Sequence, residues 1–306
     1  MRQLQAVAII LLSVLAGATR SELTKPDVYV ILGGTIADFP EFPWMAMLLY
    51  EHKNSQQMKY NCGGSLISST FVITAAHCVK GPQYDIAGPL KLVRLGEYDV
   101  NSDPDCMVLA NHHFLCSPGK FDIPPRSIRV HPSYRVGDRN YRHDLAIVEL
   151  ESSPPLSSFI QPIKLPDEAR QTLIAALGAR TMFTVAGWGR TDYFTQQLGA
   201  MAMSPVKQKV DVPYVDKRSC RRIYRTQRKT LGFGQLCAGG QPGKDACRGD
   251  SGSCLMLRDR QEGWVLLGVV SFGTDTCGVQ GWPGVYTDLR KYTKWIRANA
   301  VPKLFN

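Results

Sequence analysis

Between about residues 44 and 286 the apolar positions fall in short runs broken by Gly, Pro, Asn and Asp. Residues 65–74, 91–95, 146–150, 184–188 and 264–272 are rich in Val, Ile, Leu and Phe and bounded by turn formers, which predicts many short strands. That texture points to an all-β sandwich or barrel. The pattern changes near the C-terminus. Leu289, Tyr292 and Ile296 stand at i, i+3 and i+7 with polar residues between, so 287–300 is expected to form an amphipathic helix. Residues 216–229 are expected to be partly helical, with basic residues on more than one face. No repeat of about 20–50 residues occurs.

The N-terminus has a pattern of its own. Met1-Arg2 is followed by an apolar run over 6–15 and the small residues Ala16-Gly17-Ala18. This order predicts a signal peptide over 1–18 and a secreted, extracellular protein. The nine cysteines then lie in an oxidising compartment, where disulfides are the expectation. The chain has 306 residues, 44% hydrophobic and 20% charged, which excludes a disordered or collagen-like polymer. At about 150 residues per unit, that length suits two packed units. No later run reaches the roughly 18–20 apolar residues of a membrane span, so no membrane partner is expected.

Three strings carry chemistry. Thr74-Ala75-Ala76-His77-Cys78 places a histidine at the end of an apolar run. His143-Asp144-Leu145 places an acid just before another, and Gly249-Asp250-Ser251-Gly252 places a serine between glycines. Nucleophilic hydrolysis needs a hydroxyl that can lose its proton, a base near neutral pKa and an acid that orients the base. Each string alone is weak, and all three in the order His, Asp, Ser are strong.

With these strings, and with Ile31-Leu32-Gly33-Gly34, Asn61-Cys62-Gly63-Gly64-Ser65-Leu66, Ala186-Gly187-Trp188-Gly189, Leu236-Cys237-Ala238-Gly239 and Pro283-Gly284-Val285-Tyr286-Thr287, the chain resembles a trypsin-like serine protease of the chymotrypsin fold over residues 31–300. The segment Arg94-Leu95-Gly96-Glu97-Tyr98-Asp99-Val100, then Asp103-Pro104-Asp105-Cys106 and Asp122-Ile123-Pro124, is similar to the catalytic domains of arthropod clip-domain proteases. Those act in extracellular cascades of melanisation and Toll-type immune signalling. No clip domain fits within residues 19–30, which contain no cysteine.

The resemblance implies two Greek-key antiparallel β-barrels with a C-terminal helix and the active site between them. It implies a pro-peptide over 19–30 and a protease domain over 31–306. Ser251 is the implied nucleophile, His77 the base, and Asp144 the residue that fixes the imidazole tautomer. The N–H groups of Gly249 and Ser251 would form the oxyanion hole. Asp245, six residues before Ser251, would stand at the base of a pocket walled by Gly273 and Gly284 and pair with a substrate cation. Ala246 offers no hydroxyl to a compact ammonium, so cleavage after Arg is expected over Lys. Freed by cleavage, the Ile31 amino group would pair with Asp250 and order the site. Val30 is an unusual residue to precede such a cut.

The implied disulfides are Cys62–Cys78, Cys106–Cys116, Cys220–Cys237 and Cys247–Cys277, leaving Cys254 as a buried small residue or an intermolecular partner. Ser253-Cys254 stands where relatives usually have Gly-Pro, and a serine there would be strained if the backbone needs a positive φ. No cofactor is required by this chemistry. Glu97, with Asp99 and Asp103, is a calcium candidate through hard oxygen ligands, set against a solvated acidic loop. His112-His113 is better read as a solvated loop than a metal site.

Residues 207–229 hold nine positive and two negative side chains, +7 of the chain's +10. Such a patch suits an acidic protein or polysaccharide partner, set against a solvated helix. No reading motif accompanies it, so nucleic acid is not expected. Protein substrates and serpin-type or other protease inhibitors are the remaining implied partners. The alternative is a non-catalytic homologue serving as a cascade cofactor or binding module.

Overall fold

A computed structural model of the chain describes residues 33–53, 55–109, 112–166, 177–190, 203–259 and 263–300. The short apolar runs are antiparallel strands in two large sheets. In the first, neighbouring strands run in the order Phe121–Ile123, Leu90–Leu95, Met45–Glu51, Met58–Leu66, Phe71–Thr74, Ala146–Leu150 and Pro125–Val130, and the sheet curls into a half-barrel. In the second the order is Thr35–Ile36, Gln208–Val215, Met182–Gly187, Cys254–Asp259, Gly263–Phe272, Pro283–Asp288 and Gln235–Gly239. Gln208–Val215 also pairs with Gln235–Gly239, so six of these strands close into a barrel. Closure leaves those strands no unpaired edge. The arrangement is the chymotrypsin-like fold, and the two expected units are its two halves.

The strands are apolar because both halves bury them. Phe183, Val185, Val212 and Leu267 fill the closed barrel. A larger core starts among Leu48, Leu66, Ile73 and Val148 and continues across the seam to Trp188, Met256 and Leu266. Each such side chain contributes about 1.5–3 kcal/mol on full burial. The two halves therefore share one apolar contact surface, and the seam between them is fixed.

Three α-helices occur among the described residues: α1 (Pro82–Ala87), α2 (Lys217–Arg225) and α3 (Thr293–Ala300). α2 starts where Asp216 accepts hydrogen bonds from the N–H groups of Arg218 and Ser219, both at 3.0 Å, an N-cap. Its i, i+4 pair Cys220 and Tyr224 is buried, and the basic residues take the exposed faces. None of the three is long and apolar enough to cross a membrane.

Two expectations need correction. The run 65–74 is two strands, because Ser68, Ser69 and Thr70 make a polar turn between them. The C-terminal helix begins at Thr293 rather than at residue 287. Thr287 and Asp288 still belong to the strand Pro283–Asp288, held by pairing with Gly263–Phe272. The Asp288 carboxylate then accepts Arg290 N–H and opens a 3₁₀ turn over Leu289–Lys291.

The buried Tyr224 hydroxyl donates to Pro283 O at 2.7 Å and pins α2 to the closed barrel. Tyr224→Phe leaves that carbonyl without its donor. It should lower the unfolding free energy by about 1–3 kcal/mol, read as a lower denaturant midpoint at unchanged m-value.

Candidate active site

The site lies on the seam. The strand Phe71–Thr74 ends at Thr74, and a 3₁₀ turn over Ala76–Cys78 presents His77. That turn is held by the Cys62–Cys78 disulfide and by the Tyr50 hydroxyl, which donates to Cys78 O at 2.9 Å. Asp144 stands just ahead of the strand Ala146–Leu150 and has no exposed surface. Its Oδ2 lies 2.7 Å from His77 Nδ1, and its Oδ1 accepts His77 N–H at 2.9 Å. An ionised carboxylate has no proton to give, so Nδ1 carries the hydrogen and Nε2 keeps its lone pair.

The closed barrel completes the grip. Ser271 Oγ donates to Asp144 Oδ2 at 2.6 Å, and Thr287 Oγ1 donates to Asp144 O at 2.7 Å. Ser251 sits in the loop that crosses back to the first half. Its carbonyl accepts Gly63 N–H at 2.8 Å, and Gly252 N–H reaches Val270 O at 2.9 Å. Ser251, His77 and Gly249 line one cleft. Gly249 has φ of +99°, and a Cβ there would strike the end of Met203. Only glycine takes that conformation without cost. Among the described residues neither Gly249 N–H nor Ser251 N–H has a protein acceptor.

A pocket opens beside Ser251 and ends on Asp245 and Tyr286. Asp245 is 4% exposed, and burial pushes its carboxyl up to about 6 even though Gly278 N–H donates to Oδ2 at 3.0 Å. The buried Tyr286 hydroxyl has no partner among the described residues. A Cβ on Gly273 would point into open space, whereas one on Gly284 would press on the Tyr286 ring. The pocket is thus narrow, polar at its base and anionic once Asp245 ionises, which suits a long cationic side chain.

Asp250 is fully buried. It accepts N–H from Gly189 and Cys247, both at 2.9 Å, and no cation pairs with it among the described residues. Burial pushes its carboxyl up to about 7. A Cβ on Gly187 or Gly189 would run into this carboxylate, which explains the two glycines around Trp188. Ile31, Val30, the expected pro-peptide and the expected signal peptide lie outside the described residues.

Ser253 does not carry the strain expected of it. The left-handed conformation belongs to Gly252, with φ of +81°, and Ser253 is outside that region. Its buried hydroxyl packs against Gly63, where no Cβ stands in the way. Cys254 is fully buried, with its thiol 3.2 Å from Met45 Sδ and pushed up to about 12 by burial. It is the free cysteine; the other eight form the four expected pairs.

The calcium candidates each have a protein partner. Glu97 Oε2 accepts from Arg94 Nη1 at 3.2 Å, and Glu97 Oε1 accepts Tyr98 N–H at 3.1 Å. Asp99 accepts Asn101 N–H at 3.0 Å, and Asp103 faces Lys120 at 3.8 Å.

The basic segment also divides. Lys207 is 4% exposed, donates to Glu41 O at 2.9 Å and lies over the Tyr98 and Trp188 rings; burial pulls its ammonium down to about 8. Lys209 pairs with Glu41 at 2.6 Å and Asp38 at 3.0 Å. Lys229 turns into the cleft, its Nζ 4.3 Å from the centre of the Phe272 ring. The outward patch is the remainder, on and around α2.

The trypsin family pattern matches residues 31–296. The chain is a trypsin-family serine protease. CLIP domain-containing serine protease B8 of Anopheles gambiae is 44% identical to it over 269 residues, covering 87% of this chain and 65% of that relative. Melanization protease 1 of Drosophila melanogaster is 40% identical over 275 residues, covering 88% and 65%. Phenoloxidase-activating factor 1 of Holotrichia diomphalia is 38% identical over 273 residues, covering 89% and 70%. The chain thus spans about two thirds of the length of these relatives. The protease also uses residues that its motifs do not announce. Ser271 and Thr287 hold Asp144 but lie in otherwise ordinary strands, and Tyr286 lies inside a motif read only for Gly284.

If the pocket holds cations through Asp245, an amidinium probe should report the carboxyl directly. Benzamidine binding should be pH-independent well above about 6. It should weaken about tenfold per pH unit below that value as Asp245 takes up its proton, measured by titration calorimetry.

Proposed function

We propose that the protein is a secreted, zymogen-activated serine endopeptidase that cleaves after Arg, then Lys, in protein substrates of an extracellular immune or melanisation cascade. The observation that carries this reading is the single cleft in which Ser251, the Asp144-held His77 and the pocket over Asp245 meet. Family membership and the relatives' names support the chemistry and the cascade.

In this mechanism Ser251 Oγ attacks the scissile carbonyl while its proton passes to His77 Nε2. Asp144 stabilises the imidazolium that results. The carbonyl oxygen, now negative, is held by the N–H groups of Gly249 and Ser251; losing one such donor costs about 100- to 1000-fold in rate. His77 returns the proton to the leaving amine, and the acyl group stays on Ser251. Water then repeats the sequence and frees the acid. Asp245 takes the Arg guanidinium in two parallel hydrogen bonds, whereas a Lys ammonium would need a nearby hydroxyl that Ala246 lacks. The reaction as written draws on no metal. Protease inhibitors whose reactive loop carries an Arg, of the serpin type or another, would enter the same cleft. The outward face of α2 suits an acidic protein or polysaccharide.

Activation follows from Asp250. A buried carboxylate without a cation is costly, and a new amino terminus at Ile31 would compensate it. Before cleavage, the native state holds the Asp250 proton up to about pH 7 whereas the unfolded chain releases it near 4. Native protein then binds more protons than unfolded protein, so stability should fall as pH rises from about 4 to 7 and level off above. Asp250→Asn should remove that part of the slope, and cleavage that frees Ile31 should remove it too. Denaturant titrations across this pH range check both.

Active-site labelling tests the catalytic reading. A phosphonate ester bearing an Arg-like side chain should label Ser251 in processed protein and leave Ser251→Ala unlabelled. Matched peptides should turn over faster after Arg than after Lys; equal or faster turnover after Lys would overturn the specificity, and no label would overturn the enzyme.

A further inference from the structure

We propose that Lys229 selects substrates carrying an acidic residue three positions before the cleaved Arg, an inference that rests on the Arg-directed reading above. The argument begins with a ladder of rings running away from the catalytic pair. The Tyr141 ring meets His77 edge-on at 5.8 Å, and Phe272 stacks on Tyr141 at 5.2 Å. Lys229 Nζ lies 4.3 Å from the Phe272 ring centre and 5.8 Å from that of Tyr141. All four side chains line the cleft that holds Ser251.

The ammonium is placed rather than merely nearby. Arg228 takes a left-handed backbone with φ of +56°, and Lys229 N–H turns back to Tyr224 O at 3.0 Å. Thr230 N–H then donates to Asn140 Oδ1 at 2.7 Å, which ties this loop to the one bearing Tyr141. Tyr141 is itself left-handed, with φ of +49°. Non-glycine residues in that region cost of order 1–3 kcal/mol and persist only where their surroundings hold them. Two such residues aim a ring and a cation into the same cleft.

The spacing follows from strand geometry. An extended substrate sends alternate side chains to the same side, about 3.3 Å per residue along the chain. With the Arg in the pocket over Asp245, the residue before it packs against His77 and Tyr141. The residue two further back returns to that side and reaches Phe272 and Lys229. The ring faces supply an apolar platform and the ammonium supplies the charge. Burial pulls the Lys229 ammonium below its usual range; Asp275, exposed on the same cleft, opposes that shift and Arg139 adds to it. A substrate carboxylate would give Lys229 a closer partner. The other cation on the cleft wall, Arg248, lies beside the pocket as well and so does not mark this position.

The experiment uses processed full-length protein whose concentration is set by active-site titration, and peptides that share Arg at the cleaved position and differ only three residues before it, with Glu, Gln or Lys. The expected order of kcat/KM is Glu, then Gln, then Lys, with Glu over Lys by at least about fivefold at low salt, the scale of a half-exposed ion pair gained and a like-charge contact avoided. Lys229→Glu should invert the order, Lys229→Gln should bring the three within about twofold, and Lys229→Arg should keep the order. A fivefold preference that survives in Lys229→Gln, or no preference in the unaltered protease, would overturn the assignment while leaving the Arg-directed activity in place. Failure to cleave any of these peptides would overturn both readings.

Discussion

Asp144 is a carboxylate with no exposed surface, set where two sheets meet, and the architecture around it is arranged to keep it hydrogen-bonded. Its oxygens take the backbone N–H and the Nδ1–H of His77 from one half and the Ser271 hydroxyl from the other. Its own carbonyl takes the Thr287 hydroxyl. Removing a charge from water costs several kcal/mol, offset only by good geometry and filled lone pairs. The donors come from strands far apart in sequence, so the carboxylate is satisfied only when both halves are folded and docked. The same contacts that meet the cost of burial also fix the imidazole. Stability and catalytic geometry thus depend on one set of bonds, and loosening the seam would disturb both.

Asp250 meets the opposite condition. It is as deeply buried, yet its donors are two backbone N–H groups and its carboxyl is pushed up to about 7. It also stands beside Ser251, in the loop that offers the Gly249 and Ser251 N–H groups to the cleft. A group held near its titration point, one residue from the nucleophile, makes the loop sensitive to any cation that reaches it. Asp144 is satisfied by the fold itself, whereas Asp250 has two backbone donors and no cation among the described residues. The proposed activation switch would act on that asymmetry.

How much of this was legible in the sequence depends on what each pattern reports. The three candidate catalytic strings were readable because a histidine closes one apolar run, an acid precedes another and a serine sits between glycines. The strand runs were readable because each is a short apolar stretch bounded by turn formers. Hydrophobic period reports burial, however, and not hydrogen bonding. Leu289 and Ile296 are buried as the helical period requires, although Thr287 and Asp288 belong to a strand and Leu289 to a 3₁₀ turn. Charge counting failed in a similar way. Lys207 and Lys209 looked like part of one basic surface, yet they reach Glu41 and Asp38, more than 160 positions away, and Lys207 is almost wholly buried. Ser271 and Thr287 carry no local signal, since a hydroxyl on a strand acquires its purpose only from the strand beside it.

The electrostatics of the cleft then divide by depth. Asp245 is nearly sealed in its pocket, where a substrate cation is poorly screened and its loss would leave the charge uncompensated. Lys229 is half-buried on the wall, where water and salt weaken any pairing. Two opposite charges at a fixed separation discriminate by pattern: a peptide with one cation meets the pocket, and only one with an acid at the matching spacing meets both. A second cation at that spacing is opposed by Lys229 rather than merely unrewarded, and specificity built this way uses repulsion as well as attraction. Under the proposed specificity, the deep charge would decide whether a substrate binds productively, and the shallow one would rank the substrates that do.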